Sequence, residues 1–347
     1  MRRKSNKPPT IIDVARDAGV GIMSVSRVLN HHPGVKDSTR QKVEEAMARI
    51  GYTPNDAARM LKGRRAHTIG LLVPDLSDFY ASCFHSIQAV AMEQEYQTLV
   101  AASGRDARME ARQIEAMRLH GIAGLLLVSS GSNGDSLKKL RQHGIPIVAF
   151  DRPLSQRTDV VLVENRDGAA AGVCHLIEHG HTRIACVGFD SGSYTIRERL
   201  AGYCEAMHAA GLEQRIHTEI DSEAKMASLV ASWRSERPTA VFSLKRITSV
   251  LLLRALNRQK LRVPEDVAVV GFDDFDLAEV LGSPLTVVRQ SPDEVARAAA
   301  ELLFRRIHTQ HPEGKKSAGP KVEELLFPAQ LVLRQSCGCC GEKNQRF

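Results

Sequence analysis

The basic side chains are the first residues whose type and spacing imply a chemistry. Of the 47 Lys and Arg in this 347-residue chain, fourteen fall before residue 67 (Arg2, Arg3, Lys4, Lys7, Arg16, Arg27, Lys36, Arg40, Lys42, Arg49, Arg59, Lys62, Arg64, Arg65), against six acids. The whole chain carries +7, so the first 66 residues hold +8 and the remainder −1. A basic module on a neutral body suits a polyanion such as DNA; a solvated basic face is the plainer alternative. Other chemistries find little support. Neither a Walker motif nor a G-x-S-x-G elbow occurs, and Gly19-Val20-Gly21 opens like a dinucleotide fingerprint but follows a helical pattern instead of a strand. Cys337-Gly338-Cys339-Cys340 lacks paired C-x-x-C spacing and sits in a polar tail, so it reads as a loose tail without metal. No catalytic residue, metal ligand or cofactor is assigned.

The elements that position the basic residues are short helices. Thr10 and Asp13 form a capping-box variant that starts a helix near Ile11, with Ile12, Val14, Ala15 and Ala18 as its apolar face. Gly19 closes that helix and Val20-Gly21 complete a tight turn. A second helix is predicted over 22–29 and a third over 38–50, with Val43, Ala46, Met47 and Ile50 inward. Three helices with a glycine-containing turn between the first two make a helix-turn-helix, whose second helix enters the major groove.

From Thr68 the pattern becomes apolar strand, helix, apolar strand. Nine strands are predicted: 69–73, 99–102, 125–128, 147–150, 160–163, 184–189, 240–244, 267–272 and 285–288. Short apolar strands alternating with helices imply parallel sheets covered on both faces, and nine suit two doubly wound lobes better than one sheet. Ligands in such folds sit at the carboxyl ends of strands, so the cleft between lobes is the expected pocket. The length exceeds the roughly 250 to 300 residues of a single core, so more than one domain is expected. No apolar run reaches the roughly 18 residues that cross a bilayer, and no signal-peptide core follows the basic start. A cytoplasmic, nucleoid-associated protein with seven reduced cysteines is the expectation.

Several ordered motifs resemble one family. Ile12-Asp13-Val14-Ala15, Ala18-Gly19-Val20, Ser24-Val25-Ser26-Arg27-Val28-Leu29-Asn30, Thr39-Arg40 and Gly51-Tyr52 with Pro54-Asn55 resemble the headpiece of the lactose/galactose repressor family. The likeness continues in Ile69-Gly70-Leu71, Gly124-Leu125-Leu126, Gly180-His181, Arg199 with Gly202-Tyr203, Val263-Pro264-Glu265-Asp266-Val267, Gly271-Phe272-Asp273-Asp274, Pro284-Leu285-Thr286 and Leu331-Val332 with Arg334 and Ser336. It spans residues 10 to 336. The resemblance implies an α/β protein with an N-terminal all-α helix-turn-helix headpiece and a two-lobed, periplasmic-binding-protein-like core of two doubly wound parallel sheets. It also implies a repressor that binds operator DNA as a homodimer (in some members a tetramer) under control of a small effector held between the lobes, with no catalysis and no membrane partner. The boundaries so implied are a headpiece at 1–54, a hinge helix and linker at 55–66, a core at 67–336 and a tail at 337–347. Within the core, one lobe takes 67–162 and 291–322, the other 163–290 and 323–336.

Residue by residue, the resemblance carries DNA contact to Thr10, Gly21, Ile22, Met23, Ser24, Ser26, Arg27, Asn30, Thr39, Tyr52, Asn55, Ala58 and Leu61. Arg27 can fork onto guanine O6 and N7 or grip phosphate, and Ser24 and Ser26 suit phosphate. Many relatives carry polar or aromatic residues where Ile22 and Met23 stand. Two readings remain for that pair, packing against the first helix or contact with thymine methyl groups. Gly21 replaces the family's Ser or Thr. Asn55 to Lys62 resemble a hinge helix too short to be stable alone, with Leu61 as a minor-groove wedge and Ala58 permitting close approach.

The effector positions implied are Phe79, Tyr80, Asp151, Arg152, Arg199, Lys245, Arg246 and Asp273. Aromatic faces beside Asp and Arg suit a polyhydroxylated ligand, and an interlobe salt bridge is the alternative role for Arg199. Two departures matter. The stretch Asp75 to Phe79 lacks the family's Asn-Pro step and is one residue shorter. Lys245-Arg246 stand where relatives usually carry Asn-Asp or Asn-Asn. That exchange fits an anionic effector, a sugar phosphate or sugar acid, or else a Lys245–Asp273 pair that fills the pocket.

Overall fold

The computed structural model describes residues 9–29, 32, 34–52, 67–131, 133–189, 192–233, 237–309 and 321–339, in two compact units, Met1–Ala66 and His67–Phe347.

The first unit holds α1 (Ile11–Ala18), α2 (Ile22–Leu29) and α3 (Asp37–Ile50). The Asp13 carboxylate accepts from the amide of Thr10 at 2.9 Å and from its hydroxyl at 2.7 Å, which anchors the start of α1 with a negative charge at its positive end. Gly19 ends α1 at φ 64°, where its amide reaches the Ala15 carbonyl. A side chain in that left-handed region costs about 1–2 kcal/mol. Val14, Val25, Val43 and Ala46 lose all solvent contact and form the core, with Met47 and Ile50 packed at its margin.

The second unit contains two six-stranded sheets. The first is built from β1 (Thr68–Val73), β2 (Gln97–Ala102), β3 (Leu125–Leu127), β4 (Ile147–Phe150), β5 (Asp159–Val163) and β11 (Glu324–Phe327), in the order β11-β5-β4-β3-β1-β2, all parallel. The second comprises β6 (Ile184–Val187), β7 (Arg215–His217), β8 (Ala240–Ser243), β9 (Ala268–Phe272), β10 (Thr286–Arg289) and β12 (Gln330–Val332), in the order β12-β10-β9-β8-β6-β7, with only β12 antiparallel.

Helices cover both faces of each sheet, which is why the central strands read as unbroken apolar runs. Over the first sheet, α4 (Asp78–Glu93) and α11 (Pro292–Thr309) bury Ile87, Val90, Val295 and Leu303 against Leu71 and Leu126. On its other face, α5 (Ala107–Leu119) and α6 (Gly134–Gln142) pack Ile114, Met117, Leu137 and Leu140 on Leu72 and Leu125. The second sheet repeats the device. There α7 (Asn165–Glu178) and α8 (Tyr194–Ala209) set Val173, Leu176, Tyr203 and Met207 on Phe242 and Val270. Opposite them, α9 (Glu223–Ser232) and α10 (Arg246–Arg258) set Met226, Val230, Leu252 and Leu256 on Val241 and Val269. At the α7–α8 contact, a Cβ on Gly202 would lie 2.1 Å from the Arg166 carbonyl oxygen, so only glycine lets the helices approach this closely.

The nine expected strands form, and three more join them at sheet edges. The segment 323–327, expected in the second lobe, instead gives the first sheet its edge strand β11, so the last crossover between lobes falls between Phe327 and Gln330. The reason is visible at α11. Arg306 grips Asp159 with two 2.8 Å bonds and also bonds Glu323 at 3.0 Å, and the Glu323 amide donates to Asp159 at 2.9 Å, so the returning chain is delivered alongside β5. The chain also passes between lobes after β5 and after β10.

The end of the described chain is also built into the fold. The Ser336 hydroxyl donates to the Val269 carbonyl at 2.6 Å and accepts from the Thr286 amide at 2.8 Å. Cys337 beyond it is 0% exposed, and Cys337 and Cys339 pair as a disulfide. For residues 337–339 these observations correct the expectation of a loose tail carrying reduced thiols; 340–347 lie outside the described residues, and Cys83, Cys174, Cys186 and Cys204 are free thiols as expected. Among the described residues, no helix is long and apolar enough to cross a membrane.

Candidate functional site

In the first unit, α2 presents Arg27 exposed and without an acidic partner among the described residues. Ser24 and Ser26 are half-buried at its sides, and Thr39 on α3 is likewise partly covered. Tyr52 packs its ring against the three-helix core. Ile22 and Met23 are 48% and 70% exposed and join no core cluster, so the packing reading fails and they form an apolar surface. Nothing lies within 4 Å of a Cβ placed on Gly21, so the loss of the family's hydroxyl there is not forced by crowding. Asn30, Asn55, Ala58 and Leu61 lie outside the described residues.

In the second unit, a cleft of about 880 Å³ opens at the carboxyl ends of the strands of both lobes. Asp151 follows β4 and Asp273 follows β9, and both have left-handed backbones, at φ 64° and 74°. Asp tolerates that conformation better than most residues because its short carboxylate can bond locally, and strain of this kind concentrates at functional sites.

The two aspartates have different partners. Asp151 accepts from the Tyr80 hydroxyl at 2.8 Å and lies 3.3 Å from Arg152 Nε. The Phe79 ring meets Tyr80 edge-on, with centroids 5.2 Å apart, so the aromatic wall forms despite the shortened loop before it. Burial, and then the charge of Asp151, push the Tyr80 phenol well above its usual value, keeping it a donor. Asp273 accepts from Gln290 Nε2 at 2.6 Å and from Arg199 Nη1 at 3.2 Å.

Arg199 is 4% exposed and lies flat on Phe272, its guanidinium carbon 3.7 Å from the ring centre. It donates to Asn165 Oδ1 and the Leu244 carbonyl, each at 2.8 Å. All of these partners belong to the second lobe, so Arg199 makes no interlobe salt bridge. That bridge is made instead by Arg246 to Asp78, at 2.9 Å.

Lys245 lines the same cleft and has no carboxylate within 4.0 Å among the described residues. Asp273 is held by Arg199 and Gln290 instead. Burial first, and then the nearby charge of Arg105, pull the Lys245 ammonium below the ordinary lysine value. Among the described residues that line the cleft, Gln290 Oε1 is buried without a hydrogen-bond partner, while Arg152 Nε is ion-paired to Asp151. Four helices, α4, α8, α10 and α11, begin at this cleft and add the partial positive charge of their first turns.

The sequence reading missed Arg105, Arg289 and Gln290, which also line the cleft. The carboxyl-end rule could have found them, because Arg105 lies just past β2 and Arg289-Gln290 end and follow β10. No motif marks them, so the pattern alone gave no reason to select them.

Comparison with known proteins agrees with this architecture. Residues 10–55 match the model for bacterial regulatory proteins of the lacI family, and residues 173–337 match a periplasmic binding protein-like domain. The HTH-type transcriptional regulator DegA of Bacillus subtilis (strain 168) is 31% identical over 337 residues, covering 94% of this chain and 97% of its own. A transcriptional regulator CelR–cellobiose complex is 30% identical with a TM-score of 0.68, covering 94% of this chain and 99% of its own. The lac repressor dimer bound to operator and the anti-inducer ONPF shares the fold, with a TM-score of 0.79 at 24% identity, covering 95% of this chain and 99% of its own. With its basic helix-turn-helix unit and its two-lobed core, the chain belongs to the lacI family of bacterial regulatory proteins and is a DNA-binding transcription regulator.

Proposed function

We propose that the chain is a cytoplasmic, non-enzymatic repressor whose hold on operator DNA is set by an anionic, polyhydroxylated effector, a sugar phosphate or sugar acid, bound in the interlobe cleft. The observation that carries this reading is Lys245, a half-buried cation without a carboxylate partner among the described residues, beside an Asp273 already held by Arg199 and Gln290. A buried cation without a counter-ion is unfavourable unless a ligand supplies the negative charge. Sugar hydroxyls suit the remaining open position: Gln290 Oε1 accepts from one. The CelR complex holds cellobiose, a neutral sugar; Lys245, Arg246 and Arg105 in the cleft of this chain argue for a charged one.

Isothermal calorimetry against matched neutral, phosphorylated and oxidised sugars tests the reading. Binding confined to the anionic members is the expected result, and binding confined to the neutral ones overturns it.

On the DNA side, paired headpieces of a homodimer set α2 in successive major grooves, with Arg27 on guanine or phosphate and Ile22 and Met23 against thymine methyl groups. The exposure of all three side chains supports this. The proposed division is a headpiece over 1–54, a hinge over 55–66 and an effector core beyond, with Asn55, Ala58 and Leu61 in the minor groove. Arg27→Ala is expected to weaken specific binding by about 1–3 kcal/mol. Leu61→Ala is expected to reduce bending in a gel phasing assay, and unchanged bending rules out the wedge.

A further inference from the structure

The turn after β12 brings together three donor atoms that the repressor function does not use. Nε2 of His175, on the last turn of α7, lies 2.9 Å from the Cys339 sulfur. The ligand atoms of His175, Cys337 and Cys339 all fall within 4.8 Å of one another. We propose that His175, Cys337 and Cys339, with the two cysteines in their dithiol state, form a zinc(II) site in the second lobe.

The chemistry of the donor set points to this metal. Two thiolates and an imidazole are the soft-to-borderline ligands that zinc selects in tetrahedral sites. With Zn–S near 2.3 Å and Zn–N near 2.0 Å, the edges of such a tetrahedron run to about 3.5–3.8 Å. The donors lie within 4.8 Å of one another, with His175 Nε2 2.9 Å from Cys339, so parting the two sulfurs and a small shift of the imidazole let one ion fit. A disulfide across a single intervening residue closes too short a loop to remove much chain entropy, and it needs no imidazole beside it. The histidine is what a simple cross-link leaves unexplained.

The surroundings hold these donors in place. Ser336 pins the turn to β9 and β10 through its two hydroxyl bonds. Gly338, at φ 81°, turns the chain so that Cys339 comes back toward α7. The Thr286 hydroxyl donates to the Cys337 sulfur at 3.2 Å, and its oxygen in turn accepts from the Arg334 amide at 2.9 Å, which aims the hydroxyl proton at the sulfur. A donor aimed at sulfur favours the thiolate, the form that binds metal. On binding, the two thiols release their protons to solvent and two S–Zn bonds form, while neutral His175 gives its Nε2 lone pair. Cys339 is only partly buried, which leaves a fourth position for water or for a further ligand.

The test uses full-length protein, reduced with a phosphine that supplies the two electrons to open the disulfide, stripped of metal and titrated with cobalt(II). The expected result is one equivalent bound, with the sulfur-to-cobalt charge-transfer band and the intense visible bands of a tetrahedral site, displaced on adding zinc(II). Cys339→Ser, at a partly exposed position, is expected to lose much of the charge-transfer intensity. His175→Gln is expected to keep that band but lower affinity by about tenfold or more. Absence of the band in the reduced wild type overturns the proposal. So does a band that survives unchanged in Cys339→Ser, since the metal then sits on other thiols.

Discussion

The two lobes offer the cleft the same backbone device and arm it differently. Each ends a central strand on an aspartate with positive φ, Asp151 after β4 and Asp273 after β9. In the first lobe the carboxylate is capped by a buried phenol and backed by aromatic rings, a wall whose polar needs are largely met. In the second it is clamped by a guanidinium and an amide, with an ammonium next to it that pairs with no carboxylate within 4.0 Å among the described residues. Symmetry of fold therefore does not imply symmetry of work. The first lobe supplies shape and the second supplies charge.

The comparison can be broken most forcefully at Arg199. Replacing it with Met leaves Asp273 to Gln290 but strips Asn165 Oδ1 and the Leu244 carbonyl of their donor, two acceptors at about 1–3 kcal/mol each, so a loss of about 2–5 kcal/mol is expected in urea unfolding. A loss below 1 kcal/mol means the second lobe does not depend on that clamp.

Lys245→Gln sharpens the charge side. Anion affinity measured by calorimetry is expected to fall by about 1.5–3 kcal/mol, the worth of a hydrogen bond to a charged group, while any neutral-sugar binding stays the same. Without ligand the variant is expected to gain slightly in stability. The folded-state value of Lys245 is lowered, so the charged form is penalised at pH values below it, and the penalty lifts as pH rises from that value toward the ordinary one.

Smaller effects belong to the first lobe. Tyr80→Phe removes the bond to Asp151 but keeps the ring, and thermal melting is expected to reveal a loss of about 1 kcal/mol. Asp78→Asn breaks the exposed link to Arg246 between the lobes, for which at most about 1 kcal/mol, erased by high salt, is expected. A larger effect that persists in salt would mean that this pair, rather than the cleft interior, sets lobe closure.

The legibility of these features in the sequence follows from how local each one is. The helix-turn-helix and the central strands are written in contiguous apolar periodicity and in Gly19, so pattern alone finds them. The edge strands β7, β11 and β12 are three or four residues long, with one face toward solvent, and no continuous apolar run announces them. The destination of β11 depends on Arg306 reaching Asp159, residues 147 apart in the chain, and no local pattern records such a pairing. The cleft behaves likewise. Family motifs identify Arg199, Asp151 and Asp273, but whether Asp273 is taken by Lys245 or by Arg199 and Gln290 is decided by geometry. The Ile22 and Met23 question was of the same kind, and only exposure answers it.

Gln290 lies on the strap that runs from the second lobe to α11 of the first, and its carbonyl oxygen is the unsatisfied acceptor in the cleft. A molecule grasping that oxygen would hold the connection between the lobes itself, so its grip would reach the hinge without a relay.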